Sequence, residues 1–169
     1  MTSWLYVIGA ILIVCFGFVI LRGAPYVPSH RTQLRRAFTV LYPLSYSDVL
    51  VDLGSGDGVV LREARRLEAQ AIGYELNPFL VLMTRLLSWR DEGIKVYTKD
   101  YQRLQQLPKN VTIVYAFTTS YSIESIGKKM QQWSKGQKLY LISYGFRLHS
   151  KPVYKTDGPM NLYLFVDGE

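Results

Sequence analysis

Cysteine occurs once in the 169 residues, at Cys15, and histidine twice, at His30 and His149. A lone thiol excludes intrachain disulfides, and two isolated histidines are too few for a metal site. Charge is missing altogether between Trp4 and Leu21, and no Lys or Arg precedes that run. A cleaved leader has a basic start and an apolar stretch of about 7–15 residues. Eighteen uncharged residues, mostly Leu, Ile, Val, Phe and Gly, instead suit a helix crossing a hydrocarbon core about 30 Å thick. Cys15 lies inside this run, so the rest of the chain has no thiol nucleophile. Internal repeats, low-complexity tracts and a second domain are absent too.

Acidic residues are the scarcer charge, 13 against 20 Lys and Arg, which leaves a net +7. Arg22, Arg31, Arg35 and Arg36 all follow the apolar run, so the positive-inside rule places the remainder on the cytoplasmic side. Residues 1–22 read as an anchor and 23–28, Gly-Ala-Pro-Tyr-Val-Pro, as a connector reaching at most about 20 Å when extended. Residues 29–169 then form one domain. Its first helix, capped by Ser29, carries Leu34, Ala37, Phe38 and Leu41 as an apolar stripe, with Arg31, Arg35 and Arg36 facing outward. Those arginines suit a solvated face, anionic lipid headgroups or nucleic acid.

The spacing Gly-x-Gly-x-x-Gly of dinucleotide-binding proteins is also missing. In its place Val49-Leu50-Val51-Asp52-Leu53-Gly54-Ser55-Gly56-Asp57-Gly58 runs an apolar strand into three glycines at alternate positions, followed by the helix-compatible Val59 to Leu67. This is the first βα unit of a doubly wound domain. A second strand, Ala71-Ile72-Gly73-Tyr74-Glu75, closes on an acid at the separation expected of a carboxylate that grips ribose hydroxyls. Asn77-Pro78 begins the next helix as cap and first residue. A third strand, Val96 to Tyr101, closes on Asp100, which reads either as a ligand to an adenine amino group or as a helix cap.

The acid-x-Gly-x-Gly-x-Gly motif and the acid ending strand two resemble the class I S-adenosylmethionine (SAM)-dependent methyltransferases. Taken with Pro25-Tyr26-Val27-Pro28-Ser29 after a single span and with Tyr74-Glu75-Leu76-Asn77-Pro78-Phe79-Leu80, the chain resembles the small membrane-anchored protein-lysine methyltransferases. These include the ATP synthase c-subunit and adenine nucleotide translocase enzymes. The likeness fades after strand four, Val111 to Phe117, where Thr118-Thr119-Ser120-Tyr121 stands in place of the family's apolar-Pro turn.

The resemblance implies a seven-stranded Rossmann-like α/β sheet, mostly parallel with a C-terminal antiparallel hairpin, preceded by one transmembrane helix. It implies SAM as cofactor, held by Asp52, Gly54, Ser55, Gly56, Gly58, Glu75, Leu76, Asn77, Asp100 and Tyr101. A lysine of a membrane-associated protein is the implied acceptor, with a quinone-like molecule or lipid as the alternative and a non-catalytic SAM-binding membrane protein as a third. Nucleic acid is disfavoured, because Phe117-Thr118-Thr119-Ser120 replaces the Asp/Asn-Pro-Pro-aromatic motif that holds a flipped base. No catalytic base is assigned; Tyr26, Tyr101 and Tyr121 are candidates to line an acceptor channel. A bacterial cytoplasmic membrane is expected ahead of a mitochondrial one. Helices are expected over 29–41, 58–68, 77–90 and 121–134, strand five over Lys138–Tyr144, and a hairpin of 152–155 and 161–166 around Asp157-Gly158-Pro159.

Overall fold

The structure is a computed structural model describing residues 4–7, 9–10 and 30–167. The expected span therefore lies largely outside the described residues, as do Cys15, Arg22, the connector with Tyr26, and Ser29. Residues 4–7 and 9–10 are helical. Among the described residues no helix is long and apolar enough to cross a membrane.

Seven strands form one sheet: β1 (Val49–Leu53), β2 (Gln70–Glu75), β3 (Ile94–Thr98), β4 (Ile113–Phe117), β5 (Leu139–Tyr144), β6 (Lys155–Asp157) and β7 (Met160–Phe165). Their order is β3-β2-β1-β4-β5-β7-β6, with β1 to β5 parallel and β7 running antiparallel between β5 and β6. β4 is buried almost end to end, as a parallel strand covered on both faces must be. β3, at the sheet edge, is mostly exposed.

One face is covered by helix α1 (Arg31–Arg36) with the π-turn Ala37–Leu41 that continues it, and by α2 (Val59–Arg65). The predicted stripe Leu34, Ala37, Phe38 and Leu41 is buried, and Phe38 meets Tyr115 edge-on at 6.3 Å. Arg35 and Arg36 are less free than the sequence suggested, because Arg35 Nε pairs with Glu63 at 2.9 Å and Arg36 Nε with Asp157 at 2.7 Å. α3 (Pro78–Leu87) packs along β2 and β3. The other face takes α4 (Ser120–Trp133), which inserts Ile123, Ile126, Met130 and Trp133.

Two expected strands are corrected. β3 ends at Thr98 rather than reaching Tyr101, because Asp100 Oδ1 accepts the Gln102 N–H at 2.8 Å and turns the chain into the 3-10 turn Tyr101–Arg103. In the C-terminal hairpin Asp157 belongs to β6, and Gly158-Pro159 alone makes the turn.

Candidate functional site

The parallel order reverses between β1 and β4, each of which is followed by a strand on its own side of the pair. In open α/β sheets a ligand sits outside the carboxyl ends of the strands at that reversal. The glycine turn follows β1 there, and the two-residue link Thr118-Thr119 follows β4.

Gly54, Gly56 and Gly58 all take positive φ, at 96°, 53° and 78°, a region that favours glycine. Nothing lies within 4 Å of where a Gly54 Cβ would sit, so the turn leaves open backbone at the mouth. Its N–H groups, by contrast, are taken up internally. Gly54 and Ser55 donate to the Tyr74 carbonyl at 2.9 and 3.0 Å, and Gly58 donates to Ser55 O at 2.8 Å. Gly56 donates to Glu75 Oε2 at 2.9 Å. A phosphate-gripping turn aims such N–H groups at its ligand; this turn spends them on β2. The arrangement suits a ligand that needs close backbone approach without an anion cradle.

Glu75 joins the turn to α3. Its Oε2 holds Gly56 and its Oε1 accepts the Asn77 N–H at 2.8 Å. A carboxylate has about four lone-pair directions, so both oxygens keep acceptor capacity for ligand hydroxyls. Asn77 acts as the α3 cap, accepting the Phe79 N–H at 3.0 Å. Leu76 between them is exposed. On the next strand, Lys99 N donates to Glu75 O at 3.0 Å and brings Asp100 alongside. Tyr101, half-buried, is hydrogen-bonded to Thr118, linking the end of β3 to the loop after β4; burial pushes its phenol above the ordinary value. Tyr121 is almost wholly exposed.

Asp52 is 2% exposed and its Oδ2 has no hydrogen-bond partner. Burial first, then the nearby charges of Glu75 and Asp57, hold its carboxyl well above the usual range. An orphaned buried acid beside the open backbone of Gly54 is what a cation-bearing ligand would complete. Ser55 is buried within the turn. Its hydroxyl is buried without a partner and faces Gly73, where an added Cβ would lie 2.5 Å from Ser55 Oγ. Ser55 therefore shapes the turn from beneath.

Two residues that hold the site escaped the sequence reading. Gly73 is one; a glycine inside a β-strand pattern marks close approach. Thr84 is the other, fully buried on α3, where its hydroxyl donates to Gly56 O at 3.1 Å and its methyl crowds Gly58. A lone polar residue on the inward side of an apolar helix was the available clue.

The architecture has a close counterpart among solved structures. The RNA methyltransferase from Salinibacter ruber, in complex with S-adenosyl-L-homocysteine, aligns with a TM-score of 0.73 over 85% of this chain and 95% of its own, at 22% identity. The fold is that of the class I methyltransferases. No family model matches the sequence. Among curated proteins, the chain is similar to the ATP synthase c-subunit lysine N-methyltransferase of Xenopus laevis, 43% identical over 77 residues, or 46% of this chain and 33% of that protein. It is also similar to the adenine nucleotide translocase lysine N-methyltransferase of Mus musculus, 40% identical over 67 residues, 39% of this chain and 28% of that protein. The chain spans about a third of the length of these curated relatives.

Proposed function

We propose that the chain is a membrane-tethered SAM-dependent methyltransferase that modifies a lysine of a membrane-associated protein. The observation that carries the reading is the identity with two lysine N-methyltransferases, joined to a turn that offers open backbone and a buried acid. The uncharged run from Trp4 to Leu21 would be the tether, with residues 29–169 as the enzyme domain at the cytoplasmic face.

SAM would supply a methyl group made electrophilic by its sulfonium. Gly54 and Gly56 would admit it close to the backbone, and Asp52 would offset its positive charge. Glu75 would accept ribose hydroxyls on its remaining lone pairs, while Asp100 and Tyr101 would border the adenine side. The acceptor amine has a reference pKa near 10.4, and it must arrive neutral and in line. An apolar entrance disfavours the ammonium by desolvation, and in-line positioning supplies much of the rate. Phe117-Thr118-Thr119-Ser120 after β4 contains no Pro-Pro-aromatic base clamp, which supports an aliphatic amine over a nucleobase.

The test incubates wild type and Asp52→Ala with methyl-labelled SAM and membranes of the source organism, then counts label in protein and lipid fractions. Asp52-dependent label on a hydrolysis-resistant lysine is expected. Label confined to lipid would replace the protein acceptor with a lipid one.

A further inference from the structure

Apolar side chains stand exposed around the mouth of the site. Leu76 and Phe79 follow β2, Tyr121 lies just past β4, and Phe146 follows β5; they are 42%, 55%, 92% and 39% exposed. β2, β1, β4 and β5 are consecutive in the sheet, so at a spacing of about 4.8 Å these residues rise from one sheet end within about 15 Å. Apolar groups gathered this way mark an interaction surface.

Cations and acids share this end. Arg31, Lys99 and Arg147 are exposed there. Asp57 is ion-paired with Arg62 and Asp100 with Arg103, while Glu75 and Glu124 accept hydrogen bonds from nearby N–H and O–H groups. α1 also begins at this end, because Tyr144, the last residue of β5, donates its hydroxyl to Gln33 at 2.6 Å. The chain thus joins the domain beside the mouth. Residues 22–30 alone separate that point from the apolar run, a reach of at most about 35 Å.

Resting on the tethered reading above, we infer that this end of the sheet is seated on an anionic bilayer, with Leu76, Phe79, Tyr121 and Phe146 at headgroup depth. The mouth then opens directly onto the membrane surface. Tyr121 suits that depth because its ring is amphipathic, Leu76, Phe79 and Phe146 add apolar area, and the exposed cations Arg31, Lys99 and Arg147 complement anionic lipid. A competing seat exists on the outer side of α3, where Leu82, Leu86, Leu87 and Trp89 are exposed and lead away from the mouth. Seating there would lay the sheet on its side.

The full chain with Cys15→Ser, carrying one of Phe79→Cys, Tyr121→Cys, Trp89→Cys or Tyr46→Cys, is labelled with an environment-sensitive fluorophore and reconstituted into phosphatidylcholine–phosphatidylglycerol vesicles. All four sites are exposed, and circular dichroism checks each fold. Labels at 79 and 121 are expected to shift to the blue and brighten, while Tyr46, at the opposite end before β1, stays aqueous. A fifth sample labels native Cys15. An apolar Cys15 signal with aqueous labels at 79 and 121 overturns the seat and leaves the tether standing. An aqueous Cys15 signal removes the tether itself. A blue shift at 89 with none at 121 assigns the seat to α3 and overturns the inference.

Discussion

Glu75 Oε2 accepts the Gly56 N–H at 2.9 Å, so the last residue of β2 fixes the middle of the turn that follows β1. Its other oxygen fixes Asn77 and the start of α3. Glu75→Gln keeps one acceptor but sets an NH2 donor against one of these two N–H groups. A hydrogen bond to a charged group contributes about 1.5–3 kcal/mol, and Glu75 is only half-buried, so the expected loss is toward the lower figure. Urea unfolding measures it. Calorimetric SAM affinity should fall by about tenfold or more, the equivalent of 1.4 kcal/mol; undiminished affinity in a destabilised variant would show Glu75 to be a structural brace only.

Gly73→Ala tests the floor beneath the turn. The added methyl would lie 2.5 Å from Ser55 Oγ, 2.7 Å from Ser55 Cβ and 2.8 Å from Leu61 Cδ1. Overpacking of this kind costs about 1–3 kcal/mol. Ser55→Gly in the same chain removes two of the three clashes, so the double variant should recover part of the loss. Strict additivity of the two substitutions would show that Ser55 and Gly73 do not press on one another.

The candidate site was legible in the sequence wherever its pattern lies within one short segment. The glycine turn, Glu75 and the Asn77 cap each announce themselves within ten residues, and the structure ties them together through Glu75. Asp100 was legible in both its readings, and the geometry shows the cap. What stayed hidden depends on contacts between distant segments. Thr84 reaches Gly56 across 28 residues of sequence, and Gly73 matters because Ser55 folds down upon it. The same limit applies to Arg35 and Arg36, whose acidic partners lie 28 and 121 residues away. The extent of β3 was misjudged for a local reason: an apolar run sets a strand's face, and the turn chemistry at Asp100 sets its end.

Arg35 and Arg36 are adjacent yet should differ in stability effect. Glu63, the partner of Arg35, is buried, and its remaining cation, Arg66, sits at 3.7 Å. Arg35→Ala leaves that carboxylate poorly compensated, a loss of about 1–3 kcal/mol. Arg36, whose side chain is 67% exposed, belongs to the class of solvent-screened surface pairs that contribute little, so Arg36→Ala should cost less than Arg35→Ala. Thermal melts of the two alanine variants decide the matter. Equal shifts would mean that water reaches Glu63 as readily as Asp157.

Asp52 gives the site a pH signature. Burial, Glu75 and Asp57 raise its folded pKa above an unfolded value of about 3.9. Below that value both states are protonated and the acid's favourable contribution is whole. As pH rises past it the unfolded chain ionises first, so stability falls until the folded carboxyl also loses its proton. Wild type should therefore lose stability between about pH 4 and the raised folded pKa, a segment absent from Asp52→Asn, as urea midpoints across pH will show. A cationic ligand favours the ionised carboxylate, so SAM binding should release a proton at pH values below that folded pKa, and S-adenosylhomocysteine, without the sulfonium, should release less. Calorimetry in two buffers of different ionisation enthalpy reads the release directly. Equal release from wild type and Asp52→Asn would place the coupled proton elsewhere and remove Asp52 from the binding of the cation.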